Sequence, residues 1–156
     1  MKLLEGKSVA MTGGGGGLGL CYGVAMAKAG AAIAVSDINL AAAQATVDAI
    51  TKAGGRAIAV QGDVTKAATF EQLFDRTEAE FGSFDVLLNI AGMFPRCPVV
   101  DMTEAPWDEV ITLNLKSVFL GARAAMRRML PRKKGVILST ASGTGSSPPR
   151  ARRSRR

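Results

Sequence analysis

The chain has 156 residues, of which 47% are hydrophobic and 5% aromatic, and its formal net charge at pH 7 is +7. This length suits one domain with a core of moderate size, and the absence of histidine excludes a histidine-based metal centre or a histidine general base. The two distant cysteines, Cys21 and Cys97, predict neither a disulfide framework nor a metal site, so a reducing cytoplasmic compartment is expected.

A glycine-rich turn joins the first predicted strand to the first predicted helix. Residues 8–12 form a short apolar run typical of a buried strand, and apolar residues recur at helical spacing after the turn. This helical set consists of Leu18, Cys21, Tyr22, Ala25, Met26 and Ala29. Such a turn leaves backbone N–H groups unobstructed at the positive end of a helix, so it predicts a site for the pyrophosphate of a dinucleotide.

The glycine run fits two fingerprints of dinucleotide-binding turns. The general pattern G-x-G-x-x-G is matched by Gly14, Gly16 and Gly19. The pattern T-G-x-x-x-G-x-G is matched by Thr12, Gly13, Gly17 and Gly19. A flexible low-complexity loop is the alternative, but such a loop would not require a strand directly before it and a helix directly after.

Four further strands alternate with helices along the rest of the chain. Strands are predicted at residues 31–36, 56–61, 84–89 and 135–139, and helices at residues 40–53, 66–81 and 103–130. Thr103 is the predicted N-cap of the last helix and Pro131 its predicted stop. Alternation of this kind predicts an α/β fold, namely a doubly wound, Rossmann-like parallel sheet of about five strands in the order 3-2-1-4-5.

An acidic residue follows the second predicted strand, about 20 residues after the glycine turn. There Asp37 can accept hydrogen bonds from both adenosine ribose hydroxyls and repel a 2′-phosphate. No Lys or Arg occurs in the glycine run to attract that phosphate, so NAD is expected in preference to NADP. The alternative for Asp37 is an N-cap of the following helix.

Five motifs resemble, in order and spacing, those of the short-chain dehydrogenase/reductase family. They are Thr12–Gly19, Asp63–Val64, Asn89–Gly92, Asn114 and Ser142–Gly145. The resemblance covers roughly residues 5–146 and resolves the glycine run to the second fingerprint. It implies binding of NAD(H) and hydride transfer between the nicotinamide and a small alcohol or carbonyl substrate. Ile90 stands where the family often has a second Asn.

The resemblance assigns most of the cofactor-binding residues. In the family, the residue matching Asp63 contacts the adenine with Val64 beside the ring, Asn89 braces neighbouring backbone, and Ala91 and Gly92 let the cofactor approach closely. A helix cap is the alternative for Asp63, and a purely structural role is the alternative for Asn89. The predicted cofactor-binding set is Thr12, Gly13, Gly17, Leu18, Gly19, Asp37, Asp63, Val64, Asn89, Ala91 and Gly92.

Two candidate catalytic residues come from the same resemblance. Asn114 lies in the middle of a predicted helix, a poor intrinsic position for Asn, and in the family it holds a water of the proton relay. A solvent-facing Asn is the alternative. Ser142 aligns with the Ser whose hydroxyl polarises the substrate carbonyl, and a simple turn residue is the alternative.

The proton donor of the family has no counterpart in this sequence. The family carries Tyr-x-x-x-Lys about a dozen residues beyond the Ser, where this chain reads Ser147–Arg156. The single tyrosine, Tyr22, matches no catalytic position, and arginine does not exchange protons near neutrality. With no sixth or seventh strand either, we expect a truncated, catalytically incomplete domain that can self-associate through an apolar edge strand and the long helix.

The composition changes near residue 146. Residues 110–156 hold 12 of the 20 basic residues and no acidic residue, and five arginines fall within residues 150–156. We therefore predict a dinucleotide-binding domain at residues 1–146 and a disordered Arg/Pro-rich tail at residues 147–156, as a frameshift or premature stop would produce.

Two other interpretations remain open. One is an active oxidoreductase completed by another chain or by an unusual base. The other is a binder of nucleic acid or acidic surfaces through the tail, which the lack of interleaved aromatic residues disfavours. No metal is expected, and no membrane partner is expected, because no apolar run is long enough to span a bilayer and residues 1–7 lack the apolar region of a signal peptide.

Overall fold

The computed structural model describes residues 2–141. Its elements in chain order are β1 (Ser8–Thr12), α1 (Gly17–Lys28), β2 (Ala32–Asp37), α2 (Leu40–Lys52), β3 (Arg56–Gln61), α3 (Ala67–Phe81), β4 (Val86–Asn89), α4 (Glu104–Ile111), α5 (Ser117–Arg132) and β5 (Val136–Ser139). A 3-10 turn covers Val99–Asp101, and a π-helical turn at Thr112–Lys116 joins α4 to α5. The predicted Ser142 and the predicted tail at 147–156 lie outside the described residues.

The five strands form one parallel sheet in the order β3-β2-β1-β4-β5, which confirms the predicted doubly wound α/β fold. The central strand β1 pairs with β2 on one side and with β4 on the other, where Thr12 lies opposite Asn89. Because the chain turns back between β3 and β4, the carboxyl ends of β1 and β4 flank the switch point of the sheet. Ligands of open α/β sheets bind in the crevice at that point.

Helices cover both faces of the sheet. On one face α1 and α2 pack over a core in which Met11, Ile33 and Ile50 are fully buried. On the other face α3 and α5 enclose an aromatic cluster, in which the rings of Phe74 and Phe84 stack with centroids 4.1 Å apart. Each such side chain contributes about 1.5–3 kcal/mol through burial, which is why the central strands are apolar on both faces.

The last predicted helix differs from its expected form. It is two helices separated by the π-helical turn, and it continues through Pro131 to Arg132. The guanidinium of Arg132 donates to the carbonyls of Arg128 and Phe84, which holds the final turn beyond the proline. Thr103 occupies the predicted N-cap position, but its side chain makes no capping hydrogen bond.

Most of the apolar residues that predicted α1 lie on the outer side of that helix, whereas Met26 is partly buried against the core. Gly19, Gly23 and Ala27 face the sheet instead. A Cβ at Gly23 would lie only 3.0 Å from the Cδ1 of Ile50, so a glycine lets the helix approach the core closely. The outer residues leave a groove of about 500 Å³ beside β5, lined in part by Leu18, Tyr22, Met26, Leu88 and Leu138.

Among residues 2–141, no helix combines the length and the apolar character that a membrane span requires.

Candidate functional site

Six of the predicted residues meet in one cavity at the carboxyl ends of the central strands. The cavity has a volume of about 210 Å³ and is lined by Gly13, Asp37, Ile38, Gly62, Asp63, Val64, Ala91, Gly92 and Leu113. Sequence reasoning missed three of these. Ile38 and Gly62 are direct neighbours of predicted residues in the sequence, which is a usable signal, whereas Leu113 comes from the distant π-helical turn.

The glycine turn lies against the end of β4 so closely that its first glycine has no room for a side chain. Gly13 has a φ of +63°, and a Cβ there would lie 2.6 Å from the Cα and the N of Ala91. Gly17 has a φ of +51°, also in the left-handed region. Gly16 has extended backbone and open space at its Cβ. A need for glycine at positions 13 and 17 but not at position 16 fits T-G-x-x-x-G-x-G. The other fingerprint, G-x-G-x-x-G, would require a glycine at position 16.

The first turn of α1 rests on the glycine turn. A Cβ at Gly19 would lie 2.6 Å from the Cα of Gly14, so this position also needs a glycine. The N-cap residue Gly16 has no side chain with which to cap the helix. The N–H of Gly19 donates to the carbonyl of Gly16 at 2.9 Å, which leaves the N–H groups of Gly17 and Leu18 to an anion or to water. The side chain of Leu18 is 55% exposed.

Thr12 and Asn89 are buried and support the cavity from beneath. The Oγ1 of Thr12 accepts a hydrogen bond from the N–H of Ile90 at 3.3 Å, which ties β1 to the end of β4. The Nδ2 of Asn89 donates to the Oγ of Ser139 at 3.3 Å, and its carbonyl accepts from the N–H of Thr140 at 3.0 Å. Both residues thus fix the strand ends on which the cavity is built.

Asp37 is the last residue of β2, and each of its two carboxylate oxygens accepts a hydrogen bond. Its Oδ2 accepts from the N–H of Gly15 at 2.9 Å, and its Oδ1 accepts from the N–H of Asn39 at 3.0 Å. The N-cap of α2 is Asn39, whose side chain accepts from the N–H of Ala42 at 3.2 Å. Asp37 is therefore not the helix cap, and its carboxylate stands between the glycine turn and the start of α2.

Asp63 shapes the turn that follows β3. Its Oδ1 accepts from the hydroxyl of Thr65 at 2.7 Å and from the N–H of Thr65 at 2.9 Å. These two hydrogen bonds and the charge of Lys66 lower the pKa of the Asp63 carboxyl, against the opposing effect of burial. Helix α3 begins only at Ala67, with Lys66 at its N-cap position, so Asp63 stabilises the turn ahead of the helix as an ionised carboxylate.

Asn114 lies in the π-helical turn, and its side chain pairs with the backbone of the segment after β4. Its Oδ1 accepts from the N–H of Met93 and its Nδ2 donates to the carbonyl of Met93, each at 2.8 Å. A Cβ at Gly92 would lie 3.2 Å from the same Oδ1. The amide therefore holds one rim of the cavity. π-Helical turns occur frequently at functional sites.

Metal chemistry has no candidate centre in the part of the chain that the structure describes. No group of three or more His, Cys, Asp or Glu side chains there is arranged to hold a metal ion.

Comparison with known proteins finds one family. Residues 7–153 match the profile described as short chain dehydrogenase. The chain is 40% identical over 144 residues to the short chain dehydrogenase/reductase dpmpG of Macrophomina phaseolina, covering 90% of this chain and 82% of that protein. It is 36% identical over 141 residues to an uncharacterized oxidoreductase of Thermotoga maritima, covering 90% of this chain and 55% of the relative.

Solved structures resemble this one closely. A short-chain type dehydrogenase/reductase from Mycobacterium marinum superposes with a TM-score of 0.88 at 32% identity, covering 92% of this chain and 59% of that one. A hydroxysteroid dehydrogenase from Escherichia coli gives a TM-score of 0.81 at 36% identity, covering 87% and 57%. This chain therefore spans little more than half the length of most of these proteins, dpmpG excepted.

Proposed function

The chain belongs to the short-chain dehydrogenase family of oxidoreductases, and from this membership we propose that it binds a nicotinamide dinucleotide, with NAD(H) preferred over NADP(H). The observation that carries this proposal is the carboxylate of Asp37, which lines the cavity beside a glycine turn. When bound, the nicotinamide supplies a hydride carrier. In the family the hydride passes to or from a small carbonyl or alcohol substrate, and we propose that substrate class for the complete site.

The residues of the cavity suit the adenosine end of such a cofactor. A volume of about 210 Å³ is too small for a whole dinucleotide, so the remainder would lie along the glycine turn and the segment after β4. The open space at Gly16 and Gly17 leaves bare backbone for a phosphate to approach. Two carboxylates and no Lys or Arg line the cavity, and their charge disfavours an added 2′-phosphate.

Titration with NADH and NADPH tests the proposal, with cofactor fluorescence as the signal. We expect the wild-type chain to bind NADH more tightly. In Asp37→Ala the affinity for NADH should fall by about 10- to 100-fold, since two charge-assisted hydrogen bonds to the ribose are lost. The control is Asp48→Ala, which removes an exposed carboxylate from α2 away from the cavity. Equal NADH and NADPH affinities in the wild type, or an unchanged ratio in Asp37→Ala, would contradict the NAD preference.

We further propose that the 156-residue chain binds its cofactor without completing the chemistry. Its sequence holds one tyrosine, Tyr22, and that residue lies on the outer side of α1. The predicted contributions of Ser142 to carbonyl polarisation and of Asn114 to a proton relay are part of the same proposal. Neither group replaces a general acid whose pKa is brought near the working pH.

An exposed apolar stripe on the last long helical segment supports self-association. Its side chains are between 37% and 64% exposed and recur at intervals of four or seven residues, so they share one face. The stripe consists of Trp107, Ile111, Leu115, Phe119, Met126 and Leu130. Packing such a face against a matching helix would remove apolar surface from water, which favours a complex.

Charge along the same segment favours a second copy of this chain as the partner. Helix α4 carries three acidic and no basic residues, whereas α5 carries no acidic residue and four arginines, of which Arg128 is already paired with α3. Antiparallel pairing of two copies places the acidic half of each against the basic half of the other. A two-fold axis makes that contact self-complementary, so we propose an antiparallel homodimer through the stripe.

Sedimentation of the wild type and of Phe119→Glu tests this dimer. We expect twice the monomer mass for the wild type and the monomer mass for Phe119→Glu, because a charge would be buried at the centre of the contact. The control is Leu3→Glu, which changes a side chain that is 85% exposed and outside the stripe. A dimer that persists in Phe119→Glu would contradict pairing through the stripe. Self-association would then be assigned to the half-exposed edge strand β5.

A further inference from the structure

Position 15 of the glycine turn is closed to side chains by the carboxylate of Asp37. A Cβ at Gly15 would lie 2.7 Å from the Oδ2 of Asp37 and 2.7 Å from the Cβ of Ala42. The N–H of the same glycine donates to that Oδ2 at 2.9 Å. The backbone of Gly15 thus holds the carboxylate, and the missing side chain provides the space that the carboxylate occupies.

The next residue along the turn provides the contrast. A Cβ at Gly16 would meet nothing within 4 Å, and its φ of 168° is extended backbone that any residue adopts. Two neighbouring glycines of one turn therefore differ in their surroundings, since Gly15 is closed by Asp37 and Ala42 and Gly16 is open. Only Gly15 contacts the carboxylate that the proposed function makes responsible for choosing the cofactor.

We propose that Gly15 is a positioning residue that sets the preference for NAD(H) through Asp37. This inference rests on the proposed function. The N–H groups of Gly15 and Asn39 each take one lone pair of the carboxylate, one per oxygen. A carboxylate oxygen accepts two hydrogen bonds, so both oxygens keep capacity for the two ribose hydroxyls. Because the carboxylate is held in place before the cofactor binds, little ordering remains to oppose binding.

A methyl group at position 15 should undo this arrangement. The Cβ of Ala42 belongs to helix α2 and cannot rotate away, so the backbone of the glycine turn must shift and the side chain of Asp37 must turn. The carboxylate then loses the N–H of Gly15 and its alignment with the ribose hydroxyls. Affinity for NADH should fall, while NADPH, which gains nothing from the aligned carboxylate, should be affected less.

The test compares NADH and NADPH dissociation constants for Gly15→Ala, Gly16→Ala, Asp37→Ala and the double variant Gly15→Ala/Asp37→Ala. The selectivity ratio is the dissociation constant of NADPH divided by that of NADH. We expect this ratio to fall about tenfold in Gly15→Ala and to stay within about twofold of wild type in Gly16→Ala. The selectivity of the double variant should match that of Asp37→Ala alone, because a residue that acts on the cofactor preference through Asp37 has no effect on that preference once the carboxylate is gone. A purely structural role for Gly15 would instead weaken both cofactors equally and add to the effect of Asp37→Ala.

A second measurement monitors the hydrogen bond between Gly15 and Asp37 in the absence of cofactor. In NMR spectra of the wild type and Asp37→Ala, loss of the carboxylate should move the Gly15 amide proton upfield and leave the Gly16 amide in place. An unmoved Gly15 amide would overturn the inference even if Gly15→Ala does not fold. Failure of the wild type to bind either dinucleotide would contradict the proposed function and the selectivity role together. NADH preference that persists in folded Gly15→Ala would contradict this inference alone.

Discussion

In the presence of NADH and a panel of ketones and aldehydes, the 156-residue chain is expected to turn over no cofactor while still binding it. General acid catalysis contributes about 10²–10⁴-fold to such rates, and the chain carries no residue matching the family's proton-donating tyrosine. The described residues around the cavity are glycines, apolar side chains and two carboxylates. Steady-state absorbance of NADH measures turnover, and fluorescence titration in the same buffer confirms that the cofactor is bound.

A chimera provides the matched control. Replacing residues 142–156 with the corresponding carboxyl-terminal part of the full-length Thermotoga maritima relative should restore turnover, since that segment is expected to supply the family's Tyr-x-x-x-Lys. Tyr22→Phe tests the remaining alternative, an unusual base, because Tyr22 lies near Ser139 and Thr140 in the groove beside β5. Turnover by the unmodified chain would contradict the proposed incompleteness, and its loss in Tyr22→Phe would identify the base.

The sheet could be predicted from sequence because burial on both faces leaves a local signal. Each central strand is a short, unbroken apolar run, and strands alternating with helices admit few parallel topologies. The predicted order was therefore confirmed in full. The outward face of α1 could not be predicted, since Gly23 carries no hydrophobic signal although it packs against the core.

The cavity was predictable only in part, for a related reason. Asp37 could be predicted from the end of β2 and its spacing from the glycine turn, whereas Asp63 and Ala91 were predicted from the family resemblance. The hydrogen bonds between Asn114 and Met93 span 21 residues and the one between Gly15 and Asp37 spans 22. Such contacts between a side chain and distant backbone follow no periodic pattern, and neither does a single π-helical turn.

Arg128→Ala is expected to be the most destabilising substitution of a charged residue on α5. The guanidinium of Arg128 forms ion pairs with Glu71, Asp75 and Glu78 on α3, with N–O distances of 2.8, 2.8 and 2.9 Å. It also lies 5.6 Å above the ring of Phe74. Burial opposes the charged form, but the three carboxylates outweigh that effect and raise the pKa of Arg128 above its ordinary value.

The substitution would leave three like charges on consecutive turns of α3, none of which has another ion-pair partner among the described residues. The carboxylates are 37–68% exposed, so water screens each pair, and we expect a loss of about 2 kcal/mol in the free energy of unfolding. Urea denaturation measures it. Arg127→Ala removes an exposed arginine from the same helix and should change stability by no more than about 0.5 kcal/mol. Equal losses in the two variants would contradict the ion-pair cluster as the cause.

Helix α5 connects this ion-pair cluster to the candidate site. Arg128 fixes α5 against α3, and α5 follows directly from the π-helical turn in which Asn114 holds Met93. Screening by 1 M salt, with a Debye length of about 3 Å, should shrink the stability difference between wild type and Arg128→Ala. Hydrogen exchange of the Met93 amide should also accelerate in Arg128→Ala and not in Arg127→Ala. Unchanged exchange in both variants would mean that the α3–α5 contact stabilises the fold without supporting the cavity rim.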